Sequence, residues 1–308
     1  MTGVIELVGC SKWYGPVLGV SEVSWTVGGG VVGLLGPNGA GKSTLIKMMT
    51  GLLRPSRGEV RVFGKSPFEN RAVRSRLGYC PEHEGVYGEL TAFEFVAHLG
   101  ELSGLSKNEA KAAAERSLAA FDLTDAANRR MKGFSKGMLQ RTKLAQALAH
   151  DPDVLILDEP LTGVDPLGRT EIVSALRKLG DAGKTVIVSS HVLHEVEAIT
   201  EEILVIYRGQ VLAEGNLFKI RELIDQHPHR IRVETNEPHR LGGFVAGAEF
   251  VTRLSYERHA VILESRDPDA CYDLIARACL ESGIGIRSLT SPDNNLTAVF
   301  DYLTGERR

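Results

Sequence analysis

The sequence predicts an α/β fold: a mostly parallel sheet covered by helices, with an antiparallel β piece and a helical insertion, followed by a small α+β module. Two observations carry this. Apolar strand-like runs, among them Val31–Leu35, Val154–Leu157 and residues 185–189, alternate with helical stretches, the pattern of a sheet buried on both faces. One of those runs leads straight into a glycine-rich segment and then a helix start.

The elements follow in order. Residues 4–8 and 20–27 partly alternate apolar with polar and read as edge strands of the antiparallel piece. Gly28-Gly29-Gly30 reads as a loose turn. The strand at 31–35 precedes the glycine segment, and Thr44 onward suits the first turns of a helix. Strands at 58–63 and 74–79 come next, the second leading into Cys80-Pro81-Glu82. Helices at 92–104, 107–121 and 135–149 form a helical subdomain over about 83–150. Val154–Leu157 is a fully apolar strand ending in Asp158-Glu159. A helix at 165–180, a strand at 185–189, a helix at 192–199 and a hairpin of 203–207 with 210–213 around Arg208-Gly209 complete this part. Composition shifts near 225–229, so a linker is placed there, dividing the chain into 1–222 and 223–308. The second part reads as strand 230–235, a strand pair at 250–255 and 260–264, helix 268–282, strand 285–289 and a short terminal helix at 296–302.

Bulk properties narrow the class. The chain has 308 residues, 43% hydrophobic and 24% charged, as in ordinary globular proteins. A net charge of −3 gives no basic field for nucleic acid. Cys10, Cys80, Cys271 and Cys279 are scattered without a C-x-x-C, which fits a reducing compartment and disfavours a disulfide framework or zinc site. The first nine residues lack the layout of a secretion signal, and no apolar run is long enough for a membrane helix. Any membrane role is therefore expected to run through a partner chain.

Residues 36–43 read Gly36-Pro37-Asn38-Gly39-Ala40-Gly41-Lys42-Ser43, the phosphate-loop pattern G-x-x-x-x-G-K-[ST] in its required strand–loop–helix context. Its glycines let backbone N–H groups turn inward around a polyphosphate, and the helix N-terminus adds partial positive charge. Lys42 is placed to reach the β- and γ-phosphates and Ser43 to ligate Mg²⁺, with Thr44 in the same binding turn. At the end of an apolar strand, Asp158 is a candidate for the Mg²⁺ shell and Glu159 for orienting the attacking water.

Three further stretches follow the phosphate loop: Phe134-Ser135-Lys136-Gly137-Met138 upstream of the acid strand, then Asp165, then Ser189-Ser190-His191. With these, the chain resembles the ATP-binding subunit of an ABC transporter, over roughly residues 4–215 and most closely in the ABC-2 exporter branch. The resemblance implies a P-loop NTPase fold of the ABC ATPase kind. It implies ATP as substrate, Mg²⁺ as cofactor, and a homodimer in which each ATP lies between one phosphate loop and the facing signature segment. In that scheme Tyr14 stacks on adenine, with Trp13 beside it as the competing ring. Lys42, Ser43 and Asp158 take phosphate and metal roles, Glu159 is the general base, and His191 contacts the γ-phosphate. Ser135 and Gly137 act on the facing subunit's nucleotide, and Asp165 links the two sites.

This sequence departs from the family pattern at two places. The usual glutamine after the 74–79 strand is Glu82, which as a carboxylate is also able to ligate Mg²⁺ or water. The family's L-S-G-G-Q reads Phe134-Ser135-Lys136-Gly137-Met138, leaving Lys136 either a solvated charge or an added phosphate or partner contact. The resemblance also implies a cytoplasmic protein, peripheral on the inner face of the cell membrane through a permease on a separate chain. In the family that permease docks near 83–95, where Tyr87, Leu90, Phe93 and Phe95 offer an apolar groove. The rival reading, a soluble ATPase of the same family acting on nucleic acid or ribosomes, calls for two cassettes in one chain or long coiled coils. This chain has one cassette and no heptad run.

Overall fold

The computed structural model describes residues 3–82, 85, 87–217 and 229–291. The chain divides into two compact units, Met1–Asn216 and Leu217–Arg308. The expected boundary at 222/223, linker residues 225–228 and the expected terminal helix at 296–302 lie outside the described residues.

The first unit is built on a six-stranded sheet in the order β5-β6-β7-β3-β8-β9. Its strands are β3 (Val31–Leu35), β5 (Leu77–Cys80), β6 (Val154–Leu157), β7 (Thr185–Ser190), β8 (Glu202–Tyr207) and β9 (Gln210–Asn216). All neighbours run parallel except the β8–β9 hairpin. β6 and β7 are buried at every position, as central strands of a doubly covered sheet must be. Each Val, Leu or Ile so buried contributes roughly 1.5–3 kcal/mol. Helices α1 (Lys42–Met49), α6 (Pro166–Asp181) and α7 (Leu193–Glu197) follow β3, β6 and β7.

A three-stranded antiparallel sheet, β2-β1-β4, comprises β1 (Ile5–Tyr14), β2 (Val17–Val27) and β4 (Arg57–Val62). Here β1 corrects the sequence expectation of an edge strand. It is central, because β4 pairs on its far side, a non-local contact that alternation does not report. The 74–79 strand is also corrected. Arg71–Arg74 is a short helix, α2, capped by Asn70, and the strand begins only at Leu77. The Gly28–Gly30 stretch is a turn whose Gly29 and Gly30 take φ of 138° and 72°, open to glycine at no steric cost.

The helical subdomain packs α3 (Ala92–Leu102), α4 (Lys107–Ala120) and α5 (Lys136–Leu148). Thr91 with Glu94 and Ser106 with Glu109 close capping boxes at the first two starts. In α4 the buried positions Ala110, Ala113, Ala114, Ser117 and Leu118 make one stripe at helical spacing.

The second unit runs β10 (His229–Thr235), α8 (Pro238–Val245), β11 (Val251–Glu257), β12 (Ala260–Ser265), α9 (Pro268–Ser282), β13 (Ile286–Thr290). Its sheet order β11-β12-β10-β13, with every described pair antiparallel, is the split β-α-β, ferredoxin-like arrangement. Ile231, Val233, Leu241, Val245, Val261, Leu263 and Ile275 form its core. Helix α8 was not expected from the sequence, because Gly242-Gly243 in its middle reads as a breaker. In the fold Gly242 is buried, and a Cβ there would clash with the Tyr256 hydroxyl and ring.

Candidate functional site

The site lies at the C-terminal ends of β3, β6 and β7, where an open α/β sheet places its loops. The 36–41 loop leaves β3 and ends at Gly41, the N-cap of α1, at φ 109°. A Cβ on Gly41 would stand 2.7 Å from Val20 Cγ1, so only glycine fits. No side chain caps α1, and its first turn holds no acidic residue. The helix start therefore keeps its N–H groups and partial positive charge for an anion.

Lys42 is buried. Its Nζ donates to the carbonyls of Gly36 at 2.7 Å and Pro37 at 3.4 Å, and lies 3.2 Å from Glu159 Oε1. That Oε1 is buried and makes no hydrogen bond, so its contact with Lys42 is an ion pair without hydrogen-bond alignment. The other oxygen, Oε2, accepts from His191 Nδ1 at 2.9 Å and from the Thr162 hydroxyl at 3.4 Å.

Glu159 holds a left-handed backbone, φ 50°, sparsely populated by residues with a side chain. Ser189 at the end of β7 locks it there. Ser189 Oγ accepts from the Glu159 N–H at 2.9 Å and donates to Asp158 Oδ1 at 2.6 Å. One buried hydroxyl thus fixes both acids.

Tyr14, half exposed at 47%, sets its hydroxyl 3.3 Å from Thr44 Oγ1, beside the phosphate loop. Trp13 points elsewhere, under the Arg57 guanidinium at 5.3 Å. The structure thereby separates the two candidate rings. Ser135 caps α5, accepting from Met138 N at 3.2 Å, and Lys136 is exposed. Gly137 is buried beside Asp165, whose Oδ2 stands 3.5 Å from where a Cβ on Gly137 would sit. Asp165 caps α6 by accepting from Gly168 N at 3.0 Å, which holds its carboxyl below the usual range. The backbone carbonyls of Pro81 and Glu82 each accept from Lys143 Nζ at 2.8 Å. Cys80, at the end of β5, is pushed up to about 12 by burial and is inert as a nucleophile.

Sequence reasoning assigned no role to Ser189 or to a second pair beneath the site. Arg169 in α6 lies 3.1 Å from Glu195 Oε1 in α7, and Glu195 Oε2 accepts from Ser190 Oγ at 2.8 Å. Nothing in the local pattern marks these residues, since their pairing spans separate elements.

The residues fit a nucleoside triphosphate with Mg²⁺. A buried ammonium, an uncapped helix start and an under-bonded buried carboxylate oxygen sit together, chemistry that a polyphosphate and a hydrated divalent cation complete. Among the described residues no cluster of three or more His, Cys, Asp or Glu could hold a metal alone. The expected metal set, Ser43, Glu82 and Asp158, accordingly needs oxygens from the nucleotide and water, as Mg²⁺ usually does.

A cleft of about 540 Å³ lies between β5 and the helical subdomain, lined in part by Arg71, Arg74, Tyr87, Phe95, Leu99 and Leu102. Of the expected groove residues, Tyr87 and Phe95 line it. Leu90 and Phe93 instead pack against the helical core.

Comparison with known proteins agrees with this geometry. A family model described as ABC transporter matches residues 20–162. An uncharacterized ABC transporter ATP-binding protein of Synechocystis is 40% identical over 71% of this chain, which spans 61% of that relative's length. The daunorubicin/doxorubicin resistance ATP-binding protein of Streptomyces peucetius is 34% identical over 99% of this chain and 93% of its own. The Nod factor export ATP-binding protein I of Rhizobium meliloti is 34% identical over 99% and 89%. Among solved structures, an ATP-binding subunit of an ABC transporter superposes with TM-score 0.64 at 31% identity, covering 72% of this chain and 93% of that one. A dimeric bacterial ABC transporter cassette gives TM-score 0.64 at 27% identity, covering 69% and 98%.

Proposed function

Since this chain belongs to the ABC transporter family as an ATP-binding, ATP-hydrolysing subunit, we propose that it works as a homodimer closing on ATP to drive export through a membrane permease on a separate chain. The observation that carries the site assignment is the Lys42–Glu159–His191 cluster on a strained Glu159 backbone, set beside a helix start left open for phosphate.

In this reading residues 36–44 hold the phosphates, with Lys42 turning from the Gly36 and Pro37 carbonyls toward them. Tyr14 stacks on the base. Glu159 is the general base, taking a proton from the attacking water, a role worth ~10²–10⁴ in rate. His191, bound to Glu159 Oε2, orients that carboxylate and the γ-phosphate. Ser43, Glu82 and Asp158 hold Mg²⁺, which supplies positive charge to the transferring phosphoryl group. Ser135 and the Gly137 backbone, at the start of α5, face the nucleotide bound by the other subunit, and Asp165 joins the two sites. Nucleotide then binds the closed pair better than the open pair and shifts the population toward closure.

Export and the permease are supported by the relatives whose names describe drug resistance and Nod factor export. Homodimer closure is supported by the dimeric cassette that this chain resembles. Among the described residues no helix is long and apolar enough to cross a membrane. The permease docks at the cleft holding Tyr87 and Phe95, placing this chain at the cytoplasmic face of the membrane. The test is Glu159→Gln. Retained ATP binding, lost turnover and an ATP-stabilised dimer are expected, whereas wild-type turnover would remove Glu159 as the base.

A further inference from the structure

We propose that Arg169 is a positioning residue that couples the Asp165 segment to His191, so that the seating of one subunit on the other sets the His191–Glu159 geometry. This rests on the site reading above. Alternation along β7 sends Ser189 and Ser190 to opposite sides. Ser189 holds Asp158 and Glu159, while Ser190 Oγ donates to Glu195 Oε2 at 2.8 Å. Ser190 Oγ also accepts from Val192 N at 3.0 Å, which ties it into the loop carrying His191. Glu195 is only 7% exposed and spends its other oxygen on Arg169 Nη1 at 3.1 Å. The second branch of the same guanidinium, Nε, donates to the carbonyl of Val164, the residue before Asp165, at 2.9 Å.

These contacts close a ring. Chain segment 159–164 joins Glu159 to Val164. Val164 binds Arg169, Arg169 binds Glu195, Glu195 binds Ser190, and Ser190 adjoins His191, which returns to Glu159. A push on Asp165 is therefore carried to His191 through a closed set of contacts, in which Glu159, Val164, Ser190 and Glu195 are buried and Arg169 and His191 are partly exposed. The planar fork of arginine supplies both branches at once, which the single ammonium of lysine does not.

Arg169→Lys in the full-length protein separates coupling from stability. It keeps the charge beside Glu195 and gives up the Val164 tie. The expected result is a turnover number lowered roughly tenfold, as for a displaced catalytic group, with KM for ATP within about twofold and an unchanged melting temperature. A turnover number within twofold of wild type, or a loss matching only the unfolded fraction, overturns the proposal. Glu195→Gln provides a second route if Arg169→Lys folds poorly, and it too should lower turnover with KM preserved. The double variant should lose no more than the worse single, because members of one linkage are non-additive; additive losses contradict it. Glu159→Gln distinguishes the two levels. If that variant is inactive while Arg169→Lys and Glu195→Gln match wild type, the coupling alone fails. If Glu159→Gln turns over normally, the site reading fails first.

Discussion

The His191 imidazole and the Glu159 carboxylate meet at 2.9 Å, Nδ1 to Oε2, while the other carboxylate oxygen faces Lys42 at 3.2 Å. Glu159 is thus held from two sides by residues from two other strands' loops. His191→Ala should lower ATP turnover by about 10²-fold or more, while leaving ATP affinity within a few fold. Steady-state hydrolysis with fluorescent-nucleotide titration checks this, and an unchanged turnover would remove His191 from the mechanism.

The two neighbouring aromatics of β1 have different surroundings. Tyr14 touches Thr44 beside the phosphate loop, and Trp13 lies under Arg57. Tyr14→Ala should weaken ATP binding by roughly 1–3 kcal/mol, and Trp13→Ala by less than about 0.5 kcal/mol, the range for surface changes away from special features. Calorimetric titration of both variants decides it. Equal effects would contradict the assignment.

Ser189 is fully buried and serves two acids. Ser189→Ala leaves the Glu159 N–H without an acceptor and removes a donor from Asp158. A stability loss of about 1–3 kcal/mol is expected for the unsatisfied buried group, accompanied by reduced turnover at saturating Mg²⁺. Denaturant midpoints and hydrolysis rates measure the two effects. Wild-type values in both would show that the left-handed Glu159 holds itself.

Burial lowers the pKa of His150 from its ordinary 6.5, although its contact with the Leu77 carbonyl opposes the shift. A depressed histidine is neutral in the fold, so the unfolded chain takes up the proton first. Its contribution is complete above about pH 6.5 and is lost as pH falls toward the folded value. Stability should therefore decline through this mildly acidic range in the wild type and decline less in His150→Gln. Identical pH profiles would contradict the burial argument.

The strand, glycine loop and helix start were legible because local composition dictates them. So was the strand ending in Asp158-Glu159, whose short all-apolar run suits a strand buried on both faces. The position of β1 at the centre of its sheet was not legible, since pairing with β4 is non-local. Helix α8 was hidden by Gly242-Gly243, of which packing against Tyr256 requires Gly242. At the site, residue types announced Lys42, Glu159 and His191. The left-handed Glu159 and its Ser189 lock are properties of two chain segments brought together, and neither segment alone carries that signal.

The central claim is that each nucleotide is held between Lys42 of one subunit and Ser135 of the other. Mixing two inactive proteins tests it most directly: Lys42→Ala, with an intact Ser135, and Ser135→Arg, with an intact Lys42. In a mixed dimer one site combines both lesions and the other combines none. Equal mixing should restore about a quarter of wild-type hydrolysis by random two-fold pairing with independent sites. No restoration, despite demonstrated mixed dimers, would contradict the shared site.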